Sequence, residues 1–65
     1  MTMTEQEFKQ LVIHCANTGG LVQLPGNIDK LTCGNIMADV ASSLIDNGQD
    51  IKAIIVLNER QRLDV

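Results

Sequence analysis

The eight residues from Ile51 to Asn58 constrain the fold of this chain more than any other segment. Four of them are β-branched, and residues of this type are enriched in strands. If the segment is a strand, one of its faces is wholly apolar, and the middle of the other face carries Ile54 and Val56. Such a strand is expected to be covered on both faces.

The chain is short for a fold that must cover a strand on both faces. It has 65 residues, and folding at this size hides only about 60% of the unfolded surface. Disulfides, a metal or a partner chain commonly supply the missing stability. With two cysteines, Cys15 and Cys33, and no visible signal peptide, the sequence favours a cytoplasmic protein with free thiols. We therefore expect the stabilising element to be a partner chain.

Two further segments have the pattern of helices. Thr4 and Glu7 fit a capping box that begins the first helix, and the glycine-containing stretch at residues 17–20 ends it. The second helix is expected from about residue 32 to residue 47, after an irregular first turn for which Asn27 is the start signal.

The order of these elements predicts the fold class. Leu21–Leu24 is interpreted as a short strand that Pro25-Gly26 ends. The prediction is one small α+β domain over residues 1–65 with the order α-β-α-β, and with residues 59–65 as a flexible tail or strand extension. Its two-stranded sheet leaves unpaired edges, which invite another chain. We expect a homodimer that continues the sheet through strand 51–58.

The apolar flanks predict a function in protein association. Ala38 and Ile45 lie on one flank of the second helix, and Ile54 and Val56 form the second apolar face of the strand. These four residues are the predicted partner-binding site. The leading hypothesis is a small acidic cytoplasmic adaptor or regulator that is not an enzyme, binds a protein partner and acts as a homo-oligomer. Small acidic chains without catalytic groups are typical of accessory factors, including those of phages and mobile elements.

A second hypothesis is an oligomer that binds a small anionic ligand or nucleotide. The turn over residues 19–27 leads into a helix whose free N–H groups could hold an anion. The candidate residues are Gly19, Gly20, Gly26, Asn27 and Lys30. The segment matches neither of the glycine-rich phosphate motifs, and glycines are expected at a helix end and a turn in any case.

Composition argues against several other functions. The net charge is −3 with five dispersed cations and one aromatic residue, whereas nucleic-acid binders gather cations on one face and stack bases on aromatic rings. His14, Cys15 and Cys33 are too few for structural zinc, which takes four ligands. We expect neither a metal nor another cofactor. A single histidine also leaves few ways to build a catalytic base beside a nucleophile, and no apolar run is long enough to span a membrane.

Overall fold

Three helices make up the fold. The computed structural model describes residues 2–64, in which α1 spans Glu5–Thr18, α2 spans Lys30–Asp46 and α3 spans Asp50–Arg62. A linker, residues 19–29, joins α1 to α2, and a turn, residues 47–49, joins α2 to α3. Residues 2–64 contain no strand, so the predicted α+β fold with a two-stranded sheet is wrong and the domain is all-α. A dimer that continues a sheet is excluded for the same reason.

The ends of α1 follow their sequence signals. The Thr4 N–H donates to Glu7 Oε1 at 2.9 Å and the Glu7 N–H donates to Thr4 Oγ1 at 3.1 Å, which confirms the capping box. At the other end Gly19 has φ 73° and donates its N–H to the Cys15 carbonyl at 2.7 Å. Glycine takes this left-handed conformation without the steric cost of a Cβ.

The first turn of α2 has a different cap from the one predicted. Asp29 is the N-cap: its Oδ2 accepts from the Thr32 N–H at 3.1 Å, and its Oδ1 accepts from the Thr32 hydroxyl at 2.7 Å. Asn27 instead donates to the Met3 carbonyl at 2.7 Å and accepts from the Met3 N–H at 3.2 Å. The side chain of Asn27 therefore ties the linker to the segment before α1, and α2 starts at Lys30. Its predicted end at Asn47 is confirmed.

The segment predicted as the main strand is the helix α3. Its buried residues Ala53, Val56 and Glu59 recur every three residues, which is a helical spacing. β-Branched residues disfavour a helix by only a few tenths of a kcal/mol each, so packing against α2 outweighs their preference for strands. The segment predicted as a tail begins inside this helix, which continues to Arg62; Val65 lies outside the described residues.

The linker is not a strand either, although Val22 within it is fully buried. Its backbone N–H and carbonyl bond to side chains of α3 rather than to a neighbouring strand. A four-residue apolar run can be buried in this way without any sheet, which explains the wrong prediction for residues 21–24.

The core lies where the three helices and the linker meet. The short turn makes α2 and α3 an antiparallel hairpin, in which Arg60 Nε donates to the Gly34 carbonyl at 3.0 Å, and α1 packs against both helices. No helix within residues 2–64 is long and apolar enough to cross a membrane. The buried apolar side chains are those of Phe8, Val12, Cys15, Ala16, Val22, Cys33, Met37, Val40, Ala41, Ala53 and Val56.

Candidate protein-binding surface

A group of polar contacts fixes one side of α3 against the linker. Glu59, which is 8% exposed, accepts the Val22 N–H on Oε1 at 2.8 Å. Arg62 Nη2 donates to the Val22 carbonyl at 2.8 Å and to Glu59 Oε1 at 3.0 Å, and its Nε donates to Glu59 Oε2 at 3.1 Å. Both backbone groups of Val22 are thus satisfied by α3. We call Glu59, Arg62 and the Val22 backbone the Glu59 latch.

The latch shifts the pKa of Glu59 and of a neighbouring thiol. The hydrogen bonds from Arg62 hold the pKa of Glu59 below its ordinary value; burial opposes this, and the Val22 N–H adds to it. Burial raises the pKa of the nearby Cys15 thiol, and the Glu59 carboxylate raises it further. Cys15 donates to the Gly20 carbonyl at 2.6 Å, so it acts as a protonated core thiol.

Away from the latch, α3 exposes large apolar side chains. Ile51, Ile54 and Leu57 are 78%, 55% and 42% exposed, and they follow one another at intervals of three residues. We call these three residues the α3 face. On α2, Leu31, Ala38 and Ile45 follow one another at intervals of seven and form what we call the α2 line. Leu31 is 74% exposed, Ile45 is 51% exposed and Ala38 is half-buried.

The α2 line, together with Ile54 and Leu57 of the α3 face, points away from α1. Lys52 marks the α1 side of α3, because its Nζ donates to Asn17 Oδ1 at 2.9 Å. At about 100° per residue, Ile54 and Leu57 lie roughly 140–160° around the helix from Lys52. Val40 marks the α1 side of α2, since it lines a cleft with Ile13 of α1.

The α2 line lies on the same side of the hairpin as Ile54 and Leu57. Its residues are about 140–180° around α2 from Val40. The antiparallel register set by the contact between Arg60 and Gly34 brings Leu57 level with Ala38. The α2 line and the α3 face together form what we call the outer surface of the hairpin.

The structure distributes the four predicted partner-binding residues between the surface and the core. Ile45 and Ile54 are exposed and Ala38 is half-buried, so these three belong to the outer surface. Val56 is fully buried and packs in the core, because the segment is a helix in which positions 54 and 56 lie about 160° apart.

Sequence reasoning missed Leu31, Ile51 and Leu57 as members of the surface. The signal was present in the spacing: Ala53, Val56 and Arg60 follow the i, i+3, i+7 pattern of one helical face. Choosing that pattern for the inner side leaves Ile54 and Leu57 on the outer side. The alternation expected for a strand places Leu57 on the same face as Ala53. It therefore did not separate the buried side of the segment from its exposed side.

The predicted anion-binding turn does not gather its residues around a common point. Gly19 is the C-cap of α1, and its N–H is bonded to Cys15. The Asn27 side chain is engaged by Met3. The N-terminus of α2 already holds the carboxylate of Asp29, which repels a second anion. Gly20, Gly26 and Lys30 are exposed, and no hydrogen bond within residues 2–64 joins them to one another.

The residues considered for metal or catalytic chemistry are also dispersed. Cys15 and Cys33 are both buried and unpaired by disulfide, and His14 is exposed. The described part of the chain contains no group of three His, Cys, Asp or Glu side chains that could hold a metal. A cleft of about 120 Å³ between α1 and α2 is lined by Lys9, Ser43 and aliphatic side chains, which is too small for a drug-sized ligand.

Comparison with known proteins adds no assignment. No protein-family model, curated protein or solved structure matches this chain.

Proposed function

We propose that this protein is a non-enzymatic adaptor or regulator that binds other protein chains through the outer surface of the α2–α3 hairpin. The observation that supports this is the exposure of large aliphatic side chains on one side of the molecule, where Ile45, Ile54 and Leu57 are 51%, 55% and 42% exposed. Scattered apolar residues on a surface are ordinary, whereas a grouped apolar patch marks an interaction site. We also propose a cytoplasmic location, which the two free, buried thiols support.

The shape of the surface favours a helical partner segment. The α2 line extends over 14 residues, or about 21 Å at 1.5 Å per residue. Small Ala38 at its centre leaves space between the larger Leu31 and Ile45, and Leu57 borders this space from α3. An amphipathic helix of about four turns can lay its apolar side chains along such a line.

The experiment compares two substitutions that place the same charge at different sites. The tagged full-length chain is used to capture a partner, which is then purified and titrated by calorimetry. We expect one stoichiometric partner, bound at least about tenfold more weakly by Ile45→Glu, because a buried unpaired carboxylate opposes association. Leu21→Glu is the matched control, since Leu21 is 74% exposed but lies in the linker.

The control determines how the result is read. Retention of the partner by Leu21→Glu and its loss by Ile45→Glu supports the outer surface as the binding site. If Ile45→Glu binds as tightly as the unmodified chain, or if both variants lose the partner equally, the proposal is wrong.

A further inference from the structure

The middle of the linker between α1 and α2 is held by side chains. Within the described part of the chain, no hydrogen bond from backbone to backbone involves residues 20–28. The linker is attached on either side of its middle, where the Gly19 N–H bonds to α1 and the Asn27 side chain bonds to the segment before α1. We call residues 20–24, which lie between these attachments, the strap.

The strap has few contacts to lose when it leaves the helices. Val22 is its one fully buried side chain, and Leu21 and Gln23 are exposed. The Glu59 latch bonds both backbone groups of Val22, and the Gly20 carbonyl accepts from a thiol of α1. Segments with little buried apolar surface and no regular backbone bonding open at a lower free energy than the fold as a whole.

The three helices do not depend on the strap for most of their packing. Apart from Val22, the buried apolar side chains of residues 2–64 all belong to α1, α2 or α3. Each helix is in contact with both of the others, and the bond from Arg60 to the Gly34 carbonyl holds α3 to α2. The helices can therefore stay together while the strap moves.

The strap is followed by a glycine that its closed position does not require. The φ angle of Gly26 lies outside the left-handed region, and a Cβ added there would meet nothing within 4 Å. The closed structure thus needs glycine at position 26 neither for its backbone angles nor for space. A hinge absorbs large changes in backbone angles, and glycine makes such changes at low steric cost.

The Cys15 thiol lies beneath the strap. Cys15 is 3% exposed, and its Sγ donates to the Gly20 carbonyl at 2.6 Å. Burial raises the pKa of this thiol, so the reactive thiolate is scarce while the strap is closed. Cys33 is fully buried, and its Sγ lies 3.8 Å from the Ile28 carbonyl, outside the strap. Opening of the strap thus uncovers Cys15 and leaves Cys33 covered.

We propose that the strap opens while the three helices stay packed, and that the Glu59 latch sets how often Cys15 is uncovered. The strap and the latch together are a conformational device that controls access to one thiol of the core. This inference makes no use of the outer surface, so it stands or falls independently of the proposed function.

Alkylation of the full-length chain with iodoacetamide tests the strap. The thiolate sulfur displaces iodide from the reagent and forms a C–S bond, so a cysteine is labelled only when it is uncovered and ionised. Cys15 and Cys33 fall in different tryptic peptides, because Lys30 lies between them, and mass spectrometry gives a separate rate for each. Cys33 is the internal control for opening of the whole fold.

The two cysteines should differ in rate and in response to urea. Without denaturant, we expect Cys15 to be labelled at least about tenfold faster than Cys33. Below the unfolding midpoint the Cys15 rate should change little with urea, because local opening exposes little surface, whereas the Cys33 rate should rise steeply. Equal rates with the same dependence on urea would overturn the proposal, since unfolding of the whole chain would then uncover both thiols.

A substitution in the latch tests its control of the strap. Glu59→Ala removes the acceptor of the Val22 N–H, and it should raise the rate of Cys15 labelling at least about tenfold. Far-UV circular dichroism shows whether the helices are retained. A Cys15 rate that Glu59→Ala leaves unchanged would overturn the role of the latch.

Val40→Ala is the control for a loss of overall stability. Val40 lines the cleft between α1 and α2 with Ile13, and Ile13 and Cys15 lie about 160° apart around α1. Removing two buried methyl groups there destabilises the whole fold without touching the latch. Val40→Ala should therefore speed the labelling of Cys33 and leave the Cys15 rate unchanged. If it raises both rates by the same factor, the strap does not open by itself and the proposal is wrong.

Discussion

Each side of α3 departs from the usual distribution of polar and apolar residues. The inner side buries the carboxylate of Glu59 beside Val56, while the outer side exposes Ile51 and Ile54. The buried carboxylate is tolerated because Arg62 and the Val22 N–H satisfy it. The exposed isoleucines have no such explanation within one chain. The comparison indicates that the inner side of α3 serves folding, and the exposed outer side supports the proposal that it serves association.

The largest expected effect comes from a matched pair of truncations on the two sides. Val56→Ala should lower the free energy of unfolding by roughly 2–3 kcal/mol, since it removes two buried methyl groups and leaves a cavity. Ile54→Ala should change the same quantity by less than about 0.5 kcal/mol, because Ile54 is largely exposed. Urea unfolding at protein concentrations where the chain is monomeric measures both. Equal losses would contradict the division into two sides.

Removing the Glu59 side chain should have the next largest effect. Glu59→Ala leaves the buried Val22 N–H without its acceptor, at a cost on the order of 2 kcal/mol in the free energy of unfolding. Glu59→Gln retains a carbonyl oxygen for that N–H and should cost less. Urea unfolding ranks the variants. If Glu59→Gln is as destabilising as Glu59→Ala, the contact with Val22 does not contribute and the ion pair with Arg62 accounts for the whole loss.

The Glu59 latch also predicts a pH dependence. Because the pKa of Glu59 is lowered in the folded state, the folded protein binds fewer protons here than the unfolded chain does. The resulting stability is fully present above the ordinary glutamate pKa of about 4.3 and is lost as the pH falls through the lower folded value. Asp29, whose pKa its hydrogen bonds to Thr32 also lower, contributes in the same direction.

A comparison with Glu59→Gln isolates the contribution of the latch. Thermal melting between pH 3 and pH 7, a range set by the carboxylate pKa values, should show a smaller acid-induced loss for Glu59→Gln than for the unmodified chain. The remaining loss in the variant comes from Asp29 and other carboxylates. Identical pH profiles would show that Glu59 is not coupled to folding.

Local signals in the sequence predicted the first helix well. The capping box at Thr4 and Glu7 and the end at Gly19 depend on residues within three or four positions of one another, and the structure confirms them. The second helix was also predicted, but from about residue 32 after an irregular turn with Asn27 as its start signal, whereas the helix starts at Lys30 with Asp29 as its N-cap. Both residue types are good N-caps. In the structure the side chain of Asn27 bonds instead to the backbone of Met3, 24 residues away, so it does not cap α2.

The last helix could not be predicted from local preference. Its β-branched residues favour a strand, and what makes it helical is packing against α2 and the bonds from Glu59 and Arg62 to Val22. Val22 precedes Glu59 by 37 positions and Arg62 by 40 positions. A short stretch of sequence around α3 therefore does not include these contacts. The partner-binding prediction shared this limit: Ile45 and Ile54 were assigned to the surface, but Val56 was placed on the wrong side of the segment.

The smallest expected effect tests whether the conflict between local preference and packing is real. Ile54→Leu preserves the apolar volume on the outer side but removes the β-branch, and leucine has a higher helix propensity than isoleucine. We therefore expect the free energy of unfolding to rise by a few tenths of a kcal/mol, with the helical circular dichroism signal retained. In a strand the same change would lower stability, because β-branched residues are favoured there. A loss of stability in Ile54→Leu would thus contradict a helical α3, and a gain would show that the β-branch at position 54 disfavours the helix that packing imposes.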